Sequence, residues 1–228
     1  MSESKSKEKQ LKILRVYFKN KLRFNELPAF RSAVSNIAGL EHILFHHHEG
    51  DGFLYKYPKI QYRISSGRPV IVCMDTAIEE LFNFFSNEKK IFHRKDRKEN
   101  LEVTSIRQYN YLLRIMDKMF NYRISEWLPL NQDNYKKFNQ ITAAKERIIF
   151  LEKILIGNII SFAKGVEWTI NDEIKVNFLS EPEFSIKPVK EVKMQVFRVN
   201  FETNIFLPEM IGLGKLASIG YGNIKRIK

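Results

Sequence analysis

The sequence predicts an α+β fold arranged as two tandem domains, each built from a sheet and helices. The first half alternates strand patterns with short amphipathic helices, and the second half combines several strand patterns with one long amphipathic helix. Hydrophobic residues make up 44% of the 228-residue chain, which is enough for a core and excludes disorder as the main state. A chain of this length accommodates one large domain or two smaller ones.

The first half predicts the element order βαββαβ. This order is typical of ferredoxin-like domains and RNA-recognition motifs, in which two helices cover one face of a four-stranded antiparallel sheet. Gly39 is the predicted end of the first helix, and Asp75 is the predicted N-cap of the second. The predicted elements are a strand at 11–18, a helix at 26–38, a hairpin of strands at 53–64 and 69–74 around the turn 65–68, a helix at 76–85 and a strand at 89–93.

The charged stretch 95–100 is the predicted domain boundary, which gives an N-terminal ferredoxin-like domain over 1–97 and a C-terminal one over 98–228. In the second domain, the long helix at 143–164 carries a wide apolar stripe and ends at Gly165. We expect an elaborated ferredoxin-like unit with a Gly-rich loop near its end. Its other predicted elements are strands at 101–109 and 223–227, an apolar segment at 124–130, a turn at 131–134, the segments 174–179 and 190–207, and a linker containing Pro182 and Pro188.

The charge balance predicts a polyanionic partner. The chain carries 38 Lys and Arg against 26 Asp and Glu, a net charge of +12, which is typical of proteins that bind nucleic acid or an anionic membrane. It shows neither an apolar run of about 20 residues nor a secretory signal pattern, so we expect a cytoplasmic protein. The single cysteine, Cys73, excludes an internal disulfide and a multi-cysteine zinc site, and its apolar neighbours predict burial in a strand.

Three consecutive histidines, His46, His47 and His48, precede the turn sequence at 49–52. In an extended chain, side chains two residues apart point the same way and lie about 6–7 Å apart, so His46 and His48 would face one side. A phosphodiester fits between two groups at that spacing. An imidazole, with an unperturbed pKa of about 6.5, can remove the proton from an RNA 2′-hydroxyl, and a second one can protonate the departing 5′-oxygen.

Such a reaction needs no metal, but its developing negative charge needs a fixed donor or cation. Tyr55 and Lys56 are close enough in sequence to supply one if the chain reverses at 50–52. Two other interpretations of the histidine cluster stay open. The histidines can be a solvated surface cluster, or His-x-His can be a pair of metal ligands with Asp51 or Glu49 as a third.

The second cluster has glycines in the spacing G-x-G-x5-G-x-G, at Gly212, Gly214, Gly220 and Gly222. A dinucleotide-binding loop requires a following helix, which the short remaining sequence does not predict. A P-loop requires Ser or Thr after its lysine, whereas Leu216 follows Lys215. The glycines can bring the backbone close to a polyanion beside Lys215, or they can simply serve a hairpin that needs positive φ angles.

These segments in this order resemble the CRISPR repeat-processing endoribonucleases of the sixth Cas family, in particular the I-B-type subgroup of this repeat-associated RNA protein superfamily. The resemblance covers nearly the whole chain. It is carried by the Gly-rich sequence 211–222 and by the segments 46–63, 130–135, 155–165 and 201–208.

The resemblance implies two tandem ferredoxin-like domains and cleavage of the CRISPR transcript within each repeat. The implied reaction is metal-independent, requires no cofactor, and leaves 2′,3′-cyclic phosphate and 5′-hydroxyl ends. The catalytic positions of the family correspond to His46 and His48, with Tyr55 in support. Many relatives carry Asn where this chain has His47, so the choice of two among three imidazoles stays open.

The expected partner is CRISPR repeat RNA, with other Cas proteins and a second copy of the chain as further partners and no membrane. The alternative functions are a non-catalytic RNA-binding subunit and a metal-dependent nuclease, although the latter lacks a further Asp, Glu or His set. Basic residues on the long helix fit a solvated helix face equally well. The predicted RNA contacts are Arg31, His47, Lys56, Arg63, Lys145, Arg147, Lys153, Gly212, Gly214, Lys215, Gly220 and Gly222.

Overall fold

The computed structural model describes residues 8–39, 57–94, 98–189 and 191–228. They form two compact units. The N-terminal unit contains Gln10–Tyr111 and Ser218–Gly220, and the C-terminal unit contains Leu112–Ala217 and Tyr221–Lys228 together with Glu8 and Lys9. The chain thus enters the C-terminal unit after residue 111, later than the predicted boundary at residue 97.

The N-terminal unit follows the predicted element order. Its main sheet has the strand order β2-β3-β1-β6, and β3 pairs antiparallel with both β1 and β2. The elements are β1 (Lys9–Phe18), α1 (Leu27–Ala38), β2 (Ile60–Ser65), β3 (Arg68–Met74), α2 (Leu81–Ser86), β4 (Ile91–His93), β5 (Lys98–Asn100) and β6 (Val103–Leu113).

The fourth strand of this sheet differs from the prediction. The strand predicted at 89–93 exists as β4, but it pairs with β5 in a separate two-stranded sheet, and β6 takes the place beside β1. β4 has three residues and β6 has eleven, so β6 offers β1 a longer ladder of hydrogen bonds. This pairing keeps residues up to 111 in the N-terminal unit.

One face of the main sheet packs against α1 and α2. Phe18 of β1 meets Phe30 of α1 edge to face, with ring centroids 5.3 Å apart, and Cys73 of β3 is fully buried in the same core, as predicted. Burying a phenylalanine side chain contributes about 1.5–3 kcal/mol. The helix α1 ends as predicted at Gly39, whose φ of 90° is readily adopted only by glycine.

The β2–β3 hairpin is confirmed, with Ser65 paired to Arg68 and positive φ at both turn residues between them. The second predicted helix is wrong in detail. Residues 75–78 form a 3-10 turn, and α2 begins only at Leu81. Asp75 does not cap a helix, because its carboxylate accepts a hydrogen bond from the backbone N–H of Lys12 at 3.0 Å.

The C-terminal unit places a long helix on a sheet of order β11-β7-β10-β8, with β9 also paired to β10. The helix α4 is confirmed, because its apolar stripe of Leu151, Leu155, Ile159 and Phe162 is buried. The elements are β7 (Ile115–Trp127), α3 (Gln132–Gln140), α4 (Ala144–Gly165), β8 (Val176–Phe178), β9 (Glu183–Val189), β10 (Val192–Ile205) and β11 (Asn223–Arg226). The two sheet-rich units confirm the predicted fold class.

Two segments of this unit form regular structure where the sequence predicts a turn or a linker. Asn131, predicted in a turn, is the N-cap of α3, and its side chain accepts a hydrogen bond from the backbone N–H of Asn134 at 2.7 Å. The linker containing Pro188 forms β9, whose only named partner strand is β10. A strand paired on one side tolerates proline, which has no N–H to donate.

Candidate RNA-binding site

The predicted catalytic residues His46, His48 and Tyr55, together with His47 and Lys56, lie outside the described residues. Their roles stay predictions. The described chain continues from Tyr57 into β2 of the N-terminal unit.

Arg63 on β2 is held inside the protein. It is 1% exposed, its guanidinium donates hydrogen bonds to the side-chain oxygen of Gln61 and to the carbonyl oxygen of Tyr62, and burial lowers its pKa to about 10. Burial also raises the pKa of Tyr57, whose neutral form therefore persists beside Arg63. In the described geometry Arg63 fixes the strand and offers no exposed surface to a phosphate, in contrast to the predicted RNA contact.

Arg31 of α1 lies beside Ser218, a residue of the Gly-rich loop that belongs to the same unit. Its Nη1 donates a hydrogen bond to Oγ of Ser218 at 3.4 Å. Ser218 in turn accepts a hydrogen bond at its carbonyl oxygen from the backbone N–H of Tyr62, at 2.8 Å. The part of the loop at Ser218–Gly220 is thereby bonded to α1 and β2 within the N-terminal unit, and the half-buried Arg31 lies next to it.

Three glycines of the loop, Gly214, Gly220 and Gly222, lie close to protein atoms. A Cβ at Gly220 would stand 2.6 Å from Leu27, and one at Gly222 would stand 1.8 Å from the carbonyl oxygen of Leu213. Both glycines have positive φ, as does Gly214, and Gly212 forms a β-bridge with Asn223. Close packing and positive φ, the second interpretation of this motif, therefore explain Gly214, Gly220 and Gly222, and the RNA contacts of the loop glycines stay predictions.

The basic residues of α4 divide into two kinds. Lys145 and Lys153 are exposed to solvent. Arg147 is half-buried, donates a hydrogen bond from Nε to the carbonyl oxygen of Ile141 at 2.7 Å, and stacks 5.2 Å from the ring centroid of Phe138. Arg147 thus joins α3 to α4, whereas the two lysines remain accessible to a substrate. Lys215 is half-buried in the Gly-rich loop.

A cluster on β1 and β6 was not predicted from the sequence. Its members, which contact one another, are Arg15, Tyr17, Arg107, Tyr109 and Tyr111. The sequence contains an indication of the cluster, because its arginines and tyrosines are two residues apart and residues at that spacing share one face of a strand. The pairing of β1 with β6, which joins the two halves of the cluster, is not visible in the sequence.

Within the described ranges, we find no group of three or more His, Cys, Asp or Glu side chains that could hold a metal ion. The helices of these same ranges include none with the length and apolarity to cross a bilayer.

Two protein-family models identify the family to which this chain belongs. The Cas6b N-terminal domain model matches residues 9–111, and the Cas6b C-terminal domain model matches residues 114–227. The chain belongs to the Cas6b family. This confirms the resemblance found in the sequence and, with it, the expected enzyme class, an endoribonuclease.

Solved structures support the same fold. A crystal structure of Cas6b matches with a TM-score of 0.84 and 24% identity, over 96% of this chain and 100% of the other. A crystal structure of the CRISPR RNA processing endoribonuclease Cas6b matches with a TM-score of 0.71 and 23% identity, again over 96% of this chain and 100% of the other. An uncharacterized protein of Methanocaldococcus jannaschii is 31% identical over 115 residues, which cover 50% of this chain and 77% of the relative.

Proposed function

We propose that this Cas6b-family protein processes CRISPR precursor RNA by cutting within each repeat, without a metal ion. The ribose 2′-hydroxyl attacks the adjacent phosphorus, the bond to the 5′-oxygen breaks, and the products carry 2′,3′-cyclic phosphate and 5′-hydroxyl ends. The observation that carries the proposal is the His46-x-His48 pair in a chain whose two halves both match Cas6b domain models.

Two imidazoles balance the protons of this reaction. A neutral imidazole accepts the proton of the 2′-hydroxyl, and a protonated one donates a proton to the departing 5′-oxygen. An unperturbed histidine has a pKa of about 6.5, so both forms are available near neutral pH. His46 and His48 are the proposed pair, and Tyr55 and Lys56 are the proposed donors to the negatively charged phosphorane oxygens.

The proposed substrate contacts are the accessible cations of the described units and the residues of the histidine segment. Arg31 and Lys215 are associated with the Gly-rich loop, and Lys145 and Lys153 lie exposed on α4. Phosphate contacts supply affinity, and base contacts or hairpin shape supply specificity. Arg63, Arg147 and the loop glycines are proposed to support these residues by fixing the backbone, because their side-chain environments are already filled.

The proposed setting is the cytoplasm, where the precursor transcript is made. CRISPR repeat RNA is the proposed main partner. Other Cas proteins of an interference complex, which would take up the processed RNA, and a second copy of the chain are further proposed partners. Sedimentation of the protein with and without repeat RNA measures the stoichiometry directly.

Replacing both proposed catalytic histidines tests the function. The His46→Ala, His48→Ala variant should bind repeat RNA with unchanged affinity but cut it at least about 100-fold more slowly, because each general acid or base contributes about 10²–10⁴-fold. His93→Ala is the matched control, because His93 is an exposed histidine in β4 and should leave cutting unchanged. Cleavage is measured under single-turnover conditions with and without EDTA.

Normal cutting by the double variant would refute the assignment of the histidines. Cutting that EDTA abolishes and a divalent ion restores would instead favour a metal-dependent nuclease. Binding of repeat RNA by the wild-type protein without any product would favour the non-catalytic RNA-binding subunit.

A further inference from the structure

Two arginines and three tyrosines form one continuous cluster where β1 and β6 pair in the N-terminal unit. The guanidinium carbon of Arg15 lies 4.2 Å from the ring centroid of Tyr109, and its Nη2 donates a hydrogen bond to the Tyr111 hydroxyl at 3.2 Å. The guanidinium carbon of Arg107 lies 5.3 Å from the ring centroid of Tyr17. We call these five residues the arginine–tyrosine cluster.

Tyr17 and Tyr109 of the cluster influence each other's ionisation. Burial, together with the neighbouring Tyr109 hydroxyl, raises the pKa of Tyr17. Burial raises the pKa of Tyr109 as well, but hydrogen bonds from Tyr17 and Arg107 and the charges of both arginines outweigh it, so the net pKa of Tyr109 is lowered.

The cluster has a buried support and an accessible outer part. Arg15 is 5% exposed and lies against the Tyr109 ring. Tyr17, Tyr109 and Tyr111 are half-buried, and Arg107 is exposed. Aromatic rings that are preorganised and reach solvent beside an exposed guanidinium are the parts from which proteins build stacking surfaces for unpaired bases.

The surroundings of the cluster favour an anion. Neither β1 nor β6 contains an aspartate or glutamate. Glu102, just before β6, is paired with Lys19 at 3.0 Å. The cluster therefore combines planar stacking groups with positive charge, which complements the alternating bases and phosphates of a single-stranded nucleic acid.

The neighbouring strand β3 cannot provide the same surface. In RNA-recognition motifs, aromatic residues of the sheet stack the bases. Arg15 pairs with Val72 and Tyr17 pairs with Val70, so these valines share the face of the cluster, and both are fully buried. On this face of the sheet, the aromatic side chains therefore lie on β1 and the edge strand β6 and not on β3.

We propose that the arginine–tyrosine cluster binds unpaired nucleotides of the RNA substrate, with a base stacked on the tyrosine rings and a phosphate paired with Arg107. This assignment rests on the proposed function, because it places a single-stranded part of that substrate on the cluster. Tyr109 and Tyr17 set the stacking surface, and Arg15 is the positioning residue beneath it.

The test compares two fluorescently labelled probes, a short oligoadenylate and an abasic ribose-phosphate oligomer of the same length. Tyr109→Leu should weaken oligoadenylate binding roughly 5- to 100-fold, which is the loss of one base-stacking contact, and should leave abasic binding unchanged. Tyr109→Phe keeps the ring and should keep most of the affinity. Tyr135→Leu is the matched control, because Tyr135 is a 46% exposed tyrosine on α3 in the other unit.

Arg107→Gln provides a second variant, at an exposed position of the cluster, and circular dichroism checks that every variant is folded. This change should weaken both probes and reduce the salt dependence of binding, because it removes a phosphate contact. Affinities are measured by fluorescence anisotropy at fixed salt concentration.

The inference is overturned if folded Tyr109→Leu binds oligoadenylate as tightly as the wild-type protein, or loses affinity equally for both probes. It is also overturned if the variants change only sedimentation, which would assign the cluster to protein association. Wild-type cleavage of repeat RNA is measured in parallel. If the wild-type protein cuts repeat RNA and Tyr109→Leu binds oligoadenylate as tightly as the wild type, only the binding role of the cluster is refuted. If the wild-type protein binds no RNA at all, the proposed function is refuted as well.

Discussion

Glycine serves opposite structural needs at Gly222 and Gly157. Gly222 has a φ of 64°, and a Cβ there would stand 1.8 Å from the carbonyl oxygen of Leu213. Gly157 lies inside α4, and a Cβ there would meet nothing within 4 Å. The first position requires glycine because backbone occupies the space, and the second bears the entropic cost of glycine in a helix without a packing reason.

Alanine substitution at these two positions should therefore change stability in opposite directions. Gly222→Ala should lower the free energy of unfolding by at least about 2 kcal/mol, since it combines a left-handed backbone with a collision. Gly157→Ala should raise it by about 0.5–1 kcal/mol, because alanine favours the helix. Urea unfolding measures both values, and a destabilised Gly157→Ala or an unaffected Gly222→Ala would contradict the described packing.

At the scale of elements, the cap of α3 is the sharpest local feature. Asn131 accepts the backbone N–H of Asn134 at 2.7 Å, which satisfies one of the unpaired donors at the start of the helix. Asn131→Ala should lower the free energy of unfolding by about 1 kcal/mol, and Asn131→Asp should retain the cap. The urea midpoints of the two variants provide the measurement, and equal losses for both would argue against a capping role.

The same residue shows why some elements were predictable and others were not. Asn side chains bond to a following backbone N–H in turns and in helix N-caps alike, so residues 131–134 fit both. The helix α4 was predictable because its apolar stripe continues over many turns. Strand pairing was not, because the choice between β4 and β6 as partner of β1 depends on chain segments far apart in the sequence.

The candidate site shows the same limit. The His-x-His pair and the Gly-rich loop are local patterns, and they led to the correct family. Arg63 was predicted as an RNA contact, and its burial was not predictable, because both faces of β2 become buried only when the unit folds. The arginine–tyrosine cluster was missed because its halves are brought together only by the β1–β6 pairing.

At the scale of the whole molecule, charge and chemistry make separate contributions. A net charge of +12 supplies attraction to any polyanion, and this attraction weakens as salt rises. Attraction alone does not distinguish RNA from DNA, whereas the proposed reaction uses the 2′-hydroxyl as its nucleophile. A substrate that lacks this 2′-hydroxyl should therefore still bind to the protein but should not be cut.

The most direct measurement compares two repeat RNAs that differ only at the mapped scissile nucleotide, one with ribose and the other with 2′-deoxyribose. The account predicts equal affinity for both, cleavage of the ribose substrate alone, and products that end in 2′,3′-cyclic phosphate and 5′-hydroxyl. Cleavage of the 2′-deoxy substrate at the same linkage, or products with a 3′-hydroxyl and a 5′-phosphate, would contradict it.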